Sequence, residues 1–202
     1  MKLYDAKAPN PRRVRIFIAE KGMDVPRDTL DLDSGQARTP DFLAKNSLGQ
    51  VPVLELDDGT VITESVAICR YLDSLQPDPP LFGGTPKGEA QVEMWNRRME
   101  LEILNTIANV AQHSFPFFKD RVTQVPAFAA AQMALIPAKW AWLDSEMADG
   151  RPFIAGDSFS AADITGMVAT KLSELLGSPI PDSLAHVARW DAEVRARPSW
   201  NA

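Results

Sequence analysis

An α/β domain of βαβαββα order followed by an all-helical domain is the fold class this sequence predicts, on three observations. The first 75 residues alternate short β-prone runs with helical patterns. Gln76–Pro86 then holds four prolines and two glycines in eleven residues, which neither a helix nor a central strand survives. Beyond that stretch the apolar spacing is helical throughout. The predicted domains are therefore residues 1–76 and 87–202, with 77–86 as the linker.

Lys2–Asp5 is the first strand candidate. In the next segment Asn10 is placed at the N-cap, Pro11 at the first helical position and Gly22 just past the end, the usual asymmetry of helix termini. Val14, Phe17, Ile18 and Lys21 share one face of that helix, and three of the four are apolar, so that side belongs to the core. Arg27 to Leu32 is a second strand, completing a βαβ unit. Thr39-Pro40 opens a short helix through about Lys45. Val53–Leu56 and Thr60–Thr63 form a hairpin around Asp57-Asp58-Gly59, and a helix capped by Thr63 runs from Glu64 to about Leu75.

In the second domain Trp95, Met99, Glu102 and Ile103 lie along one long helix, and Val125 to Ala148 makes another. Gly150-Arg151-Pro152 ends it. Ser160 at an N-cap and Asp163 three residues on form a near capping box for a third helix. Pro181 to Arg197 supplies a fourth, stopping before Pro198.

Composition narrows function by exclusion. Among 202 residues, 45% are hydrophobic and 24% charged, ordinary values for a globular protein. The net charge of −6, with no basic stripe, argues against a nucleic-acid partner. A single cysteine, Cys69, excludes a disulfide framework and fits a reducing compartment. No run approaches the length of a membrane span and no leader pattern opens the chain, which points to a cytoplasmic protein without a membrane partner. His113 and His186 show no metal-ligand spacing, so no metal is expected.

The stretch with most chemical content is Leu48-Gly49-Gln50-Val51-Pro52-Val53, answered by Thr63-Glu64-Ser65. Pro52 cannot donate to a ladder and must stand at a strand start, which leaves the main chain of Val51 free to pair with something else. A helix start bearing Glu and Ser beside that edge can hold a small peptide by its backbone and its charged ends.

With these pieces in place the chain resembles the cytosolic glutathione S-transferases along nearly its whole length. The resemblance is carried by Lys2-Leu3-Tyr4, by Arg12-Arg13-Val14-Arg15-Ile16 leading to Glu20-Lys21-Gly22, and by Asn46 to Leu54. Thr63 to Ile68, Phe153 to Asp157 and Phe159 to Ile164 complete it. It implies a thioredoxin-like N-terminal domain with a cis-proline at Pro52, a C-terminal helix bundle, and glutathione as co-substrate. It further implies that Val51 pairs with the cysteinyl moiety, that Glu64 and Ser65 hold the γ-glutamyl end, and that Gln50 and Arg38 reach the glycyl carboxylate.

The chain departs from the family pattern at the thiol. Where serine-type members carry the activating hydroxyl this sequence has Ala8, and where cysteine-type members carry the thiol it has Asn10. Tyr4 sits too early for the tyrosine type and belongs to the core. Asn10 is the polar group that remains, and the Pro9-Asn10 pair occurs in some bacterial and fungal relatives. Its amide and the helix terminus would stabilise a thiolate; the alternative is that Asn10 is a plain helix cap, and one residue can serve both roles. His113 and Phe117 are expected to line the electrophile pocket, or else to pack the bundle. Arg97 and Arg98 are candidates for the interface of a homodimer. Cys69 reads as a buried, inert thiol. The function implied is transfer of glutathione to a small electrophile, serving detoxification. Alternatives are a glutathione-dependent disulfide or peroxide reductase and a non-catalytic assembly domain of the same fold. An isomerase is disfavoured, because Ala8-Pro9-Asn10 stands where isomerase relatives carry Ser-Ser-Cys.

Overall fold

The structure, a computed structural model describing residues 1–202, divides into two compact units: Met1–Leu81 with Asn201–Ala202, and Phe82–Trp200. The first unit contains β1 (Lys2–Asp5), α1 (Pro9–Lys21), β2 (Arg27–Thr29), α2 (Pro40–Lys45), β3 (Val53–Glu55), β4 (Val61–Thr63) and α3 (Ser65–Leu75). The sheet order is β2-β1-β3-β4, with β1 and β2 parallel and the other pairs antiparallel. This is the predicted βαβαββα, thioredoxin-like domain.

Strand alternation sends its residues to two cores. Tyr4 and Val53, opposite each other in the ladder, bury with Ala37 and Phe42 on one face. Leu3 and Leu54, the adjacent pair, are wholly buried on the other. Tyr4 meets Phe42 edge to face at 5.8 Å, and its hydroxyl donates to Glu55 Oε2 at 2.7 Å. It is a core residue, as its position in the sequence implies.

The helix starts differ from expectation at three places. α1 begins at Pro9, with Ala8 as an extended N-cap that contributes no side chain, so Asn10 stands inside the first turn instead of capping it. Pro9 suits the first helical position as well as Pro11 does, because a missing N–H costs nothing there. α3 begins at Ser65 with Glu64 as its cap residue, because Thr63 is still paired in β4 opposite Val53. α8 (Ala185–Arg195) begins four residues later than Pro181. Its first N–H groups are capped from α6 (Pro126–Glu146), where Asp144 Oδ1 accepts from His186 and Val187 at 2.8 and 2.9 Å. β2 also stops at Thr29, short of Leu32. Leu30 and Leu32 turn inward to pack half-buried against the Tyr4 cluster.

Two other ends match their signals. Thr39 caps α2, accepting from the Phe42 N–H at 3.4 Å. Gly22 closes α1 at φ 61°, a conformation that glycine adopts without penalty. Lys21, the polar member of the α1 face predicted to be core, is buried. Its ammonium donates to the carbonyls of Gln76 and Pro77 at 2.8 and 3.1 Å and to that of Pro79, and meets Asp73 Oδ1 at 2.5 Å. The start of the proline-rich segment is thereby tied to the end of α3.

In the second unit α4 (Pro86–Arg98) continues through a π-helical turn, Met99–Leu104, into α5 (Asn105–Ser114). Thr106 Oγ1 donates to the Glu102 carbonyl at 2.8 Å in that turn. α7 (Ala161–Leu175) is buried over most of its length and opens on the predicted capping box of Ser160 and Asp163. No helix is long and apolar enough to cross a membrane.

Candidate glutathione site

The register of the sheet decides what lies together. Tyr4 is opposite Val53, so the chain leaving β1 toward Ala8 and Asn10 passes the end where Val51 and Pro52 enter β3. Val53 is also opposite Thr63, so Glu64 and Ser65 emerge at that same end. Three segments separated in sequence, 6–10, 50–52 and 64–65, thus share one edge of the domain. The fourth, Arg38, is joined to it by a hydrogen bond from Nη1 to the Leu48 carbonyl, 3.3 Å.

Each segment is shaped for exposure of a particular group. The Val51–Pro52 peptide is cis. Pro52 is buried, Val51 half-buried and outside the ladder, and Gln50 exposed. Asn46 holds the preceding loop, its Nδ2 donating to the Gln50 carbonyl at 2.8 Å and its Oδ1 accepting from the Leu48 N–H at 3.2 Å. Gly49 has φ 60°, and a Cβ there would stand 2.8 Å from the Ala37 carbonyl oxygen, so the loop passes too close to Ala37 for any other residue.

Glu64 is the sole non-glycine residue with positive φ, at φ 64° and ψ 118°. That backbone costs about 1–3 kcal/mol. It leaves the Glu64 side chain exposed while Ser65, next in the chain, is buried. Ser65 Oγ accepts a hydrogen bond from Arg13 Nη1 at 2.7 Å. Arg13 itself is only 3% exposed, on the side of α1 that meets α3. Sequence reading did not select Arg13, because one arginine among Arg12, Arg13 and Arg15 carries no local mark of burial.

At the start of α1, prolines thin out the donors. Pro9 and Pro11 have no N–H, the Ala8 N–H donates to the Ala6 carbonyl at 2.8 Å and the Arg12 N–H to the Ala8 carbonyl at 3.1 Å. Asn10, exposed, is therefore the residue of the first turn that carries both a main-chain N–H and a side-chain amide.

Four other sequence candidates, His113, Phe117, Arg97 and Arg98, belong to the second unit. His113 Nδ1 accepts from the Val125 N–H at 3.0 Å, and its ring packs edge-on to Phe128 at 5.1 Å. Phe117 stacks edge-on to Phe118 and under the Arg121 guanidinium, 3.6 Å from its centroid. Arg97 pairs with Glu100, and Arg98 lies over Trp95 at 4.9 Å. Cys69 is buried, and burial pushes its thiol up to about 12, against a smaller opposing pull from Arg13. A cavity of about 450 Å³ lined by Asp5, Ala6, Lys7, Arg15, Arg27 and Thr29 includes none of the predicted ligand-binding residues. No group of three or more His, Cys, Asp or Glu gathers within reach of a metal ion.

Comparison with known proteins identifies the family. Residues 8–75 match the family model described as glutathione S-transferase, N-terminal domain. Glutathione S-transferase 2 of Saccharomyces cerevisiae is 37% identical over 98% of this chain and 87% of its own. The crystal structure of a glutathione S-transferase domain-containing protein from Marinobacter aquaeolei VT8 superposes with a TM-score of 0.92. It is 39% identical and covers 99% of this chain and all of its own. Gtt2 from Saccharomyces cerevisiae superposes equally well at 0.92, with 36% identity over 100% of this chain and 99% of its own. The chain belongs to the glutathione S-transferase family.

Proposed function

We propose that this protein binds glutathione at the shared edge, lowers the pKa of its thiol and transfers the thiolate to a small electrophile. The observation that carries the reading is the sheet register, which brings Pro9-Asn10, Gln50-Val51-Pro52 and Glu64-Ser65 to one end of the domain. An extended tripeptide laid along Val51 pairs its cysteinyl main chain there as an added strand would. Glu64 takes the γ-glutamyl ammonium, and Ser65 at the start of α3 takes the adjacent carboxylate. Gln50 and Arg38 hold the glycyl carboxylate.

That pose directs the thiol toward the start of α1. Two prolines there leave Asn10 as the donor, so thiolate stabilisation falls on one residue's main-chain and side-chain N–H groups. A neutral hydrogen bond of this kind stabilises an anion by about 1–2 kcal/mol, roughly one pKa unit. This favours the thiolate at neutral pH, and the thiolate is the nucleophile. In the bond-forming step its sulfur lone pair attacks the electrophilic carbon while the leaving group or π-bond takes up the displaced electrons. His113 and Phe117 are proposed to border the electrophile, and the protein is proposed to act as a cytoplasmic homodimer.

The test is the ultraviolet absorbance of the bound thiolate, titrated with pH for wild type and Asn10→Ala. The alanine variant keeps the main-chain N–H and loses only the amide. Loss of most of the pKa depression with glutathione still bound places activation on the side chain. Unchanged depression moves it to the main chain. Absence of glutathione binding in the wild type removes the transferase reading in favour of the assembly-domain one.

A further inference from the structure

We propose that Arg13 is a positioning residue for glutathione. Its buried guanidinium holds the Ser65 hydroxyl as a hydrogen-bond donor aimed at the γ-glutamyl carboxylate. The inference rests on the glutathione reading given above and extends it to a residue that does not touch the substrate.

A serine hydroxyl has one proton and two acceptor lone pairs. Arg13 Nη1 can only donate, so at 2.7 Å the Ser65 oxygen must accept. One lone pair is thereby fixed on the protein side, and the proton is directed away from the guanidinium. Ser65 Oγ donates to no protein group. A carboxylate at the α3 N-terminus would take that proton without any reorientation, which is preorganisation of the kind that improves affinity at no new contact.

Stability alone does not account for an arginine here. A guanidinium that is 3% exposed has lost most of its hydration. It also lies against the positive end of the α3 dipole, where a cation is disfavoured and an anion welcomed. Its field reaches into the helix as far as Cys69, a turn beyond Ser65. Both sources of positive potential converge on the place where the γ-glutamyl carboxylate is held. Neither Arg12 nor Arg15 substitutes for it: Arg15 is committed to Asp5 Oδ1 and the Ala6 carbonyl, at 2.6 and 2.9 Å, and Arg12 is only half-buried.

The experiment is calorimetric titration of the full-length protein with glutathione and with 4-aminobutyryl-cysteinyl-glycine, which lacks the γ-glutamyl α-carboxylate. The proteins are wild type, Arg13→Gln, Arg13→Lys, Ser65→Ala and the Arg13→Lys, Ser65→Ala double variant, each checked for a cooperative melt. Arg13→Gln should raise the glutathione Kd about tenfold, and Arg13→Lys, which keeps the charge and packing, about threefold. In the Ser65→Ala background Arg13→Lys should change Kd less than twofold, and on the analogue every variant should match wild type within about twofold. KM should rise while kcat at saturation stays put. Equal losses in both Ser65 backgrounds, or on both ligands, would make Arg13 merely structural and overturn the assignment alone. A wild type that binds no glutathione overturns both the assignment and the reading beneath it.

Discussion

The indole N–H of Trp190 donates to Asp163 Oδ1 at 2.9 Å, and the far edge of the same ring fills the space beside Gly166, where a Cβ would stand 2.7 Å from it. One aromatic side chain from α8 thus locks onto α7 by a polar contact and by close packing. Asp163 accepts at the same time from the Ile154 N–H, the Ser160 N–H and the Ser160 hydroxyl, at 2.8, 2.9 and 2.9 Å.

Removing that carboxylate strands several buried donors. Asp163→Ala is expected to destabilise the protein by about 3 kcal/mol or more, each orphaned donor costing about 1–3 kcal/mol. Urea unfolding followed by tryptophan fluorescence checks it. A midpoint within error of wild type would contradict the network described.

The strained Glu64 backbone sets stability against binding. Glu64→Gly relieves the φ 64° conformation and is expected to stabilise by about 1 kcal/mol after glycine's own entropic cost. Glutathione affinity should fall in the same variant, because the carboxylate proposed for the γ-glutamyl ammonium is gone. Paired melting and binding curves read both effects.

Glu55 is expected to make stability depend on acid pH. Lys45 Nζ at 2.8 Å, foremost, and the Tyr4 hydroxyl hold its carboxyl below the usual 4.5. A depressed carboxylate stabilises the fold at pH above its unfolded value, and the contribution disappears as pH falls through the lower folded value. Glu55→Gln should therefore unfold at lower urea than wild type at pH 7 and converge on it near pH 3. Parallel curves across that range would exclude the pair as a source of stability.

Cys69 should report unfolding. With its thiol up at about 12 and buried, it forms no thiolate at pH 8 in the native state. Labelling by an aromatic disulfide is expected to proceed only at the rate of opening, accelerating with denaturant in step with the fluorescence transition. Rapid labelling of the native protein would show that α3 opens locally.

Legibility in the sequence followed the range of the interaction. Thr39 before Pro40, Gly22 after Lys21, and Ser160 with Asp163 mark helix ends through hydrogen bonds spanning three or four residues, and all three stand where the sequence puts them. The Val51-Pro52 and Glu64-Ser65 motifs were equally visible. Asn10 was misplaced as a cap because two prolines compete for the first helical position, and α1's start is set by which of them docks.

What the sequence by itself determined is therefore the order of elements, their approximate ends and the chemistry of the candidate groups, since propensity, capping and periodicity act within a few residues. Tertiary structure alone decided the rest. Asp144 caps α8 from 42 residues away, the Lys21 ammonium closes the end of α3 from 55, and Arg13 reaches Ser65 across 52. Burial converts each of these ordinary surface residues into a partner, because a charge taken out of water must find its hydrogen bonds in whatever the fold brings alongside.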